Sequence, residues 1–176
     1  MTESTEHSTA LPRPWLPSDW EHPLHVPLST GHHLRPIRAD DTELDMRAVM
    51  GSQARLWSLF GEAWGWPPTT MTAEEDREDL QRHADEMHTH ESFNYALFDA
   101  GETELIGCVY IDPAEKPGAD ADICWWVGDE YVGSAVEAAL DALVPVWIDR
   151  DWPLREPRYI GRDLTWAQWR DLPSSD

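Results

Sequence analysis

Residues 121–143 read ADICWWVGDEYVGSAVEAALDAL and join a strand to a helix. Asp122, Cys124 and Trp126 alternate with Ala121, Ile123, Trp125 and Val127, the two-residue period of a strand with two distinct faces. Beyond Gly133 the period changes. Val136, Ala139, Leu140, Leu143, Val144 and Trp147 fall at helical spacing and make one continuous apolar stripe. Pro145 is expected to kink this helix or end it near Val144. A strand that turns through a glycine into a helix presents successive backbone amides, a natural seat for an anion. The side chains here cut against that use: residues 129–143 hold Asp129, Glu130, Glu137 and Asp141, and no Lys or Arg.

The flanking segments supply the rest of a fold. FNYALFDAGETELIGCVYIDP, residues 93–113, reads as two strands around a turn at Gly101. HHLRPIRADD, residues 32–41, reads as a short strand running into a helix cap at Asp40 or Asp41. That helix turns Leu44, Ala48 and Val49 inward and can end at Gly51; a second carries Leu56, Trp57, Phe60 and Trp64 and stops at Pro67-Pro68. Thr72 and Glu75 form a capping box for a third, mostly charged helix with only a thin apolar stripe of Leu80, Ala84 and Met87, so a surface position is expected. REPRYIG can form one more strand, and DLTWAQW a short capped helix. The order is that of an α+β fold, a mixed, mainly antiparallel sheet with helices packed on both faces. Residues 1–30 contain five prolines and are expected to be an irregular arm, pinned in part by Trp15 and Trp20 and mobile over its first ten residues; residues 31–170 form one domain, and 171–176 a tail.

Composition bounds the function. The chain has 176 residues, 41% of them hydrophobic, enough for one domain with a real core. The formal charge is −21 and Lys116 is the only lysine, which excludes nucleic acid and disfavours an acidic membrane surface. Such a surface attracts a cationic substrate or partner, or serves solubility alone. Cys108 and Cys124 lie in apolar runs without metal or disulfide spacing, as buried thiols in a reducing cytoplasm do. The first ten residues lack the basic start and apolar run of a signal peptide, and no run is long enough to span a bilayer.

From residue 31 to 169 the order of elements resembles the GNAT-type N-acetyltransferase superfamily. GHHLRPIRADD resembles its first strand and helix cap, YALFDAGETELIGCVYIDP its second and third strands, and ADICWWVGDEYVGSAVEAALDAL its fourth strand, pyrophosphate loop and following helix. The resemblance implies acetyl-CoA as acyl donor. Its pantetheine arm would pair with the backbone of Cys124, Trp125, Trp126 and Val127, and its diphosphate would rest on amides of Val132, Gly133, Ser134 and Ala135. The family loop runs Arg/Gln-x-x-Gly-x-Gly/Ala, and two registers fit. One places Val132, Ala135 and Glu137 at the three defined positions; the other places Glu130, Gly133 and Ala135 there. The first keeps the family's spacing, but it sets a carboxylate where a diphosphate should sit. Gly133 is otherwise a simple turn before an ordinary cap.

By the same resemblance Asp122 is the candidate base that takes a proton from an acceptor amine. The family's usual acid, a Tyr on the last helix, is replaced by Trp166 and Trp169, which leaves Tyr159, and also Tyr110, as substitutes. The family's final strands are missing, so a second subunit in a homodimer, or the N-terminal arm, is expected to cover that edge. His83, Glu86 and His90 share a helical face, but a polar helix produces such triplets by chance, and no metal is expected. Two functions follow: acetyl transfer from acetyl-CoA to a small-molecule or protein amine, cationic in view of the nine acids and one lysine between Asp99 and Glu130, or an inactive GNAT-like binding module that has lost acetyl-CoA.

Overall fold

The computed structural model describes residues 14–174; the expectation of mobility over the first ten residues lies outside that range. Six strands form one sheet in sequence order: β1 (Val26–Pro27), β2 (His33–Pro36), β3 (Phe93–Phe98), β4 (Leu105–Pro113), β5 (Ala121–Val127) and β6 (Pro157–Tyr159). Neighbours are antiparallel except β5 and β6, which run parallel. The helices are α1 (Thr42–Gly51), α2 (Gln53–Trp64), α3 (Ala73–Thr89), α4 (Ala135–Asp151) and α5 (Trp166–Asp171).

The strand period divides the core in two. Tyr95, Val109, Ile111, Ile123 and Trp125 point to the face covered by α4 and the N-terminal segment, where they pack with Val136, Leu140, Val144 and Trp147. Ala96, Cys108, Cys124 and Trp126 point to the other face, under Val49 of α1, Leu56 and Phe60 of α2, Leu80 of α3 and Trp169 of α5. Gly107 lets β4 and β5 approach: a Cβ there would lie 2.0 Å from the carbonyl oxygen of Trp126.

Three expectations meet tertiary structure. Pro145 does not end α4, which continues to Asp151. It sits on the exposed side, so the carbonyl it leaves unpaired can be hydrated, while buried residues before and after it hold the helix to the sheet. The capping box of α3 forms, with Thr72 Oγ1 accepting from Glu75 N–H and Glu75 accepting from Thr72 N–H. The face of α3 is not wholly solvated, however, because Asp76 is buried opposite Asp45 of α1, both at 4% exposure or less. The proline-rich segment packs in place: Trp15 Nε1 donates to the His90 carbonyl at 2.7 Å and Tyr95 Oη to that of Pro23 at 2.8 Å. Its strand β1 lies at the sheet edge opposite β6.

Arg35 fastens that far edge. Its guanidinium forks onto Asp41 with two bonds of 2.8 Å and reaches Glu102 at 2.9 and 3.0 Å, and His33 meets the same carboxylate at 2.8 Å. These bonds tie β2 to the entry of α1 and to the β3–β4 turn.

Candidate active site

β5 and β6 share a short ladder and then part. Ala121, Asp122 and Ile123 pair with Pro157, Arg158 and Tyr159, and Ile160 N–H donates to the Ile123 carbonyl at 2.9 Å. Beyond that point β6 turns away at Gly161, whose φ of 87° requires glycine or strain. The rest of β5 therefore pairs only with β4. Gly128 N–H donates to the Ile106 carbonyl, which fixes the alternation: Cys124 and Trp126 turn their backbone groups to β4, and Trp125 and Val127 turn theirs to the gap. The expected four residues thus reduce to two, and the Val127 carbonyl is already taken by the Arg55 guanidinium from α2. An edge strand with free amide groups accepts an extended ligand as an added strand.

The helix start next to the gap is partly filled by the protein itself. A turn at Asp129–Tyr131 leads to Gly133, at φ 78°, and Ser134 caps α4 by accepting from Glu137 N–H at 3.3 Å. Glu137 bends back so that its carboxylate accepts from Gly133 N–H at 3.1 Å. Ser134 N–H goes to the Tyr131 carbonyl. The amides of Ala135 and Val136, in the first turn, have no acceptor within the helix. Val132 is exposed. The outer side of the gap is strapped: Asp141 of α4 accepts from Trp125 Nε1 at 2.8 Å and from Arg162 at 2.7 Å, and that guanidinium lies 4.7 Å over the Trp125 ring.

On the opposite face a cavity of about 410 Å³ opens over the sheet. The strand register lays two polar rows across its floor. Asn94, Tyr110 and Cys124 form one row, which ends at the gap beside Ile160; Ser92, Asp112, Asp122 and Arg158 form the next. α1 and α3 supply Asp45, Asp76, Asp79, His83 and Glu86 as a roof, and Trp64, Trp66, Trp166 and Trp169 make an aromatic wall. Asp79 and Glu86 are ion-paired with Arg82. Burial works to raise the Asp79 carboxyl, but hydrogen bonds from His83 and Arg82 outweigh it and hold it at about 2. Burial lifts Asp112 to about 6, against the opposing hydrogen bond from Ser92 Oγ. Burial first, and then mutual repulsion, drives Asp45 well above the carboxylate range; Asp76, hydrogen-bonded to it, is also raised by burial. Tyr110 is pushed well up by burial and accepts from Trp126 Nε1 at 2.9 Å, so its phenol keeps its proton.

Residues 33–159 match the family described as the acetyltransferase (GNAT) domain. This chain belongs to the GNAT acetyltransferase family. Solved structures with the same fold include RimL, a ribosomal L7/L12 alpha-N-protein acetyltransferase, at 22% identity and a TM-score of 0.54, covering 72% of this chain and 65% of that one. An acetyltransferase from Salmonella typhimurium that modifies the N-terminal serine of L7/L12 matches at 17% identity and 0.61, covering 77% and 73%. Mycobacterium smegmatis RimJ, in complex with CoA-disulfide, matches at 18% and 0.57, covering 77% and 65%. This chain thus spans just under two thirds of the RimL and RimJ chains. No curated protein sequence matches it. Among the described residues, no helix is long and apolar enough to cross a membrane.

Within this GNAT domain the sequence-derived catalytic pair does not assemble. Asp122 lines the cavity, but Arg158 Nε donates to one oxygen at 2.6 Å, and Trp169 Nε1 and Glu115 N–H to the other at 3.1 and 3.2 Å. These three hydrogen bonds join β5 to β6, to α5 and to the turn after β4, and take most of its accepting capacity. Tyr159 points to the α4 face, edge-on to Trp125 at 6.1 Å, away from the cavity, with burial raising its phenol to about 12. Tyr110, the other substitute, does line the cavity. Asp112, which the strand pattern did not single out, stands one row from it. His90 closes α3 in a left-handed conformation and packs on Trp20 and Phe93, apart from His83 and Glu86. Among the described residues, no group of three or more His, Cys, Asp or Glu is arranged to hold a metal.

Proposed function

We propose that this GNAT domain transfers the acetyl group of acetyl-CoA to a cationic amine. The single observation that carries the reading is the juxtaposition at Cys124 and Trp125: a free strand edge opens on one side and an acceptor-rich cavity on the other. Bound acetyl-CoA supplies the thioester. Its pantetheine arm fits the Trp125 N–H and C=O and the Val127 N–H, and its diphosphate fits the Ala135 and Val136 amides, in competition with Glu137.

The protein then has three tasks. The cavity holds the amine beside Cys124 and the end of the gap. Asp112, lifted to about 6, takes the amine proton, directly or through one water. Tyr110, kept protonated by burial, donates to the departing thiolate. The ammonium first gives one proton through Asp112 to solvent, which frees the nitrogen lone pair; the C–N bond then forms, the C–S bond breaks, and the second proton lost by nitrogen replaces the one that Tyr110 gives to sulfur. Glu137 weakens the cofactor seat without filling it, which favours an enzyme of modest acetyl-CoA affinity over an inactive module.

The test is calorimetric titration with CoA followed by a co-crystal structure. A pantetheine amide paired with the backbone of Trp125 is the expected result. Absent binding at millimolar CoA, or CoA bound elsewhere, overturns the reading.

A further inference from the structure

The cavity holds more anionic capacity than one amine needs, and its location is uneven. Asp79, Glu86 and Asp122 have arginine partners. Asp45, Asp76 and Asp112 form no ion pair with Lys or Arg among the described residues. Asp112 is on β4, while Asp45 and Asp76 hang from α1 and α3 in the roof. Two further atoms stand out there. Asp76 Oδ2 and Asn94 Oδ1 are fully buried on residues lining the cavity, and neither has a hydrogen-bond partner. A buried acceptor without a donor is costly, and native structures seldom keep one unless a ligand or water completes it. Asp45 and Asp76 share a proton across the hydrogen bond between them, so the pair offers one negative charge, and Asn94 Oδ1 adds an acceptor. The complement of that set is a donor-rich cation such as an ammonium group, rather than a carboxylate or phosphate.

The aromatic wall adds a second requirement. Trp64 and Trp166 pack edge to face at 5.1 Å, and Phe60 stacks on Trp64 at 4.9 Å, so one side of the cavity is apolar and suits a short methylene chain. About 410 Å³ accommodates a small molecule of that kind.

We infer that the acceptor is a small diamine or polyamine. One ammonium is anchored by Asp45, Asp76 and Asn94, and the other nitrogen is delivered along the Tyr110–Cys124 row to the gap. This rests on the acetyltransferase reading for the fate of the second nitrogen, but the anchor itself is a binding claim and is testable without acetyl-CoA. A peptide N-terminus, with one ammonium followed by amide groups, would leave the anchor unfilled.

The experiment is equilibrium titration of the intact protein, without CoA, with putrescine, n-butylamine and a blocked tripeptide bearing a free N-terminus. Putrescine should bind at least about tenfold more tightly than n-butylamine, the worth of one charge-assisted contact. Asp76→Asn and, separately, Asn94→Leu should each weaken putrescine binding about tenfold; two variants guard against one that misfolds, with circular dichroism as the check. Equal affinity for putrescine and n-butylamine, or a preference for the tripeptide, overturns the proposal. Diamine binding with no acetyl transfer would leave the anchor standing and overturn the acetyltransferase reading instead.

Discussion

Glu137 offers the sharpest test of how this domain treats an anionic cofactor. Its carboxylate accepts from Gly133 N–H at 3.1 Å, at the start of α4, where a diphosphate would otherwise be received. A bound diphosphate would sit roughly 5 Å from it. Two like unit charges at about that distance repel by about 1–3 kcal/mol as the effective dielectric falls from about 80 to about 20. Glu137→Gln removes the charge and keeps an oxygen for the Gly133 amide. The dissociation constant for acetyl-CoA should therefore fall about 5- to 150-fold. The substitution also discards a favourable interaction with the helix dipole, about 0.3–1 kcal/mol, so the melting temperature should drop by a few degrees at most. Calorimetric titration of wild type, Glu137→Gln and Glu137→Ala at low and high salt is the assay. The gap between wild type and variant should narrow with salt, because repulsion at a solvent-facing helix start is screened. An unchanged dissociation constant in both variants would refute the reasoning, since the carboxylate would then not compete for the cradle. Weaker binding would mean that Glu137 holds the loop in its receptive shape.

Three further outcomes follow from the same structure. Asp112→Asn should lower kcat by about a hundredfold or more and remove the rise in activity as pH passes about 6, where a carboxyl lifted by burial ionises; a limb that stays near 6 in the variant assigns the base elsewhere. Gly107→Ala should destabilise the fold by ~3 kcal/mol in chemical denaturation, because its Cβ would lie 2.0 Å from a backbone oxygen; a loss under 1 kcal/mol would mean that β4 and β5 separate easily. Glu102 is held at about 2, first by its hydrogen bonds to Arg35, against 4.5 unfolded, so its contribution is complete above about 4.5 and is lost as pH falls toward 2. Discounted for a side chain about one third exposed, that contribution is on the order of 1–2 kcal/mol, and Glu102→Gln should flatten the acid limb of a stability–pH curve by that amount.

The readable parts of this sequence were those whose signals are local. The period of two in β5, the 3.6-residue stripe of α4 and the Thr72–Glu75 box each depend on neighbours within one or two turns, and each produced its element. Pro145 carries a strong local rule for a kink or an end near Val144, but packing on both sides of it carries the helix on to Asp151. The site was harder to read because its partners are far apart in the chain. Asp122 stands on a strand face where a base is expected, but its partner Arg158 lies 36 residues later in the chain. Asp76 looked like one more acid on a solvated helix, and only the packing of α3 over α1 brings it to Asp45. The rows Asn94–Tyr110–Cys124 and Ser92–Asp112–Asp122 exist only through strand register, which no single stretch contains.

That register also separates the acidic cavity from the proposed seat for an anion. In β5 the backbone groups of Trp125 and Val127 face the gap, and the side chains of Asp122, Cys124 and Trp126 form part of the cavity's side of the sheet. The sheet and its two apolar layers stand between the carboxylates of the cavity and the first turn of α4. Charge that would attract a cationic acceptor is thus held on one side of the low-dielectric slab, and the amides meant for a diphosphate open on the other. Asp129 and Asp141 lie on the gap's side too, but each is paired with an arginine, Arg55 and Arg162. Among the described residues Glu137 is the acid whose carboxylate bonds a loop amide at the start of α4, which is why cofactor affinity should answer to that residue far more than to the overall charge of −21.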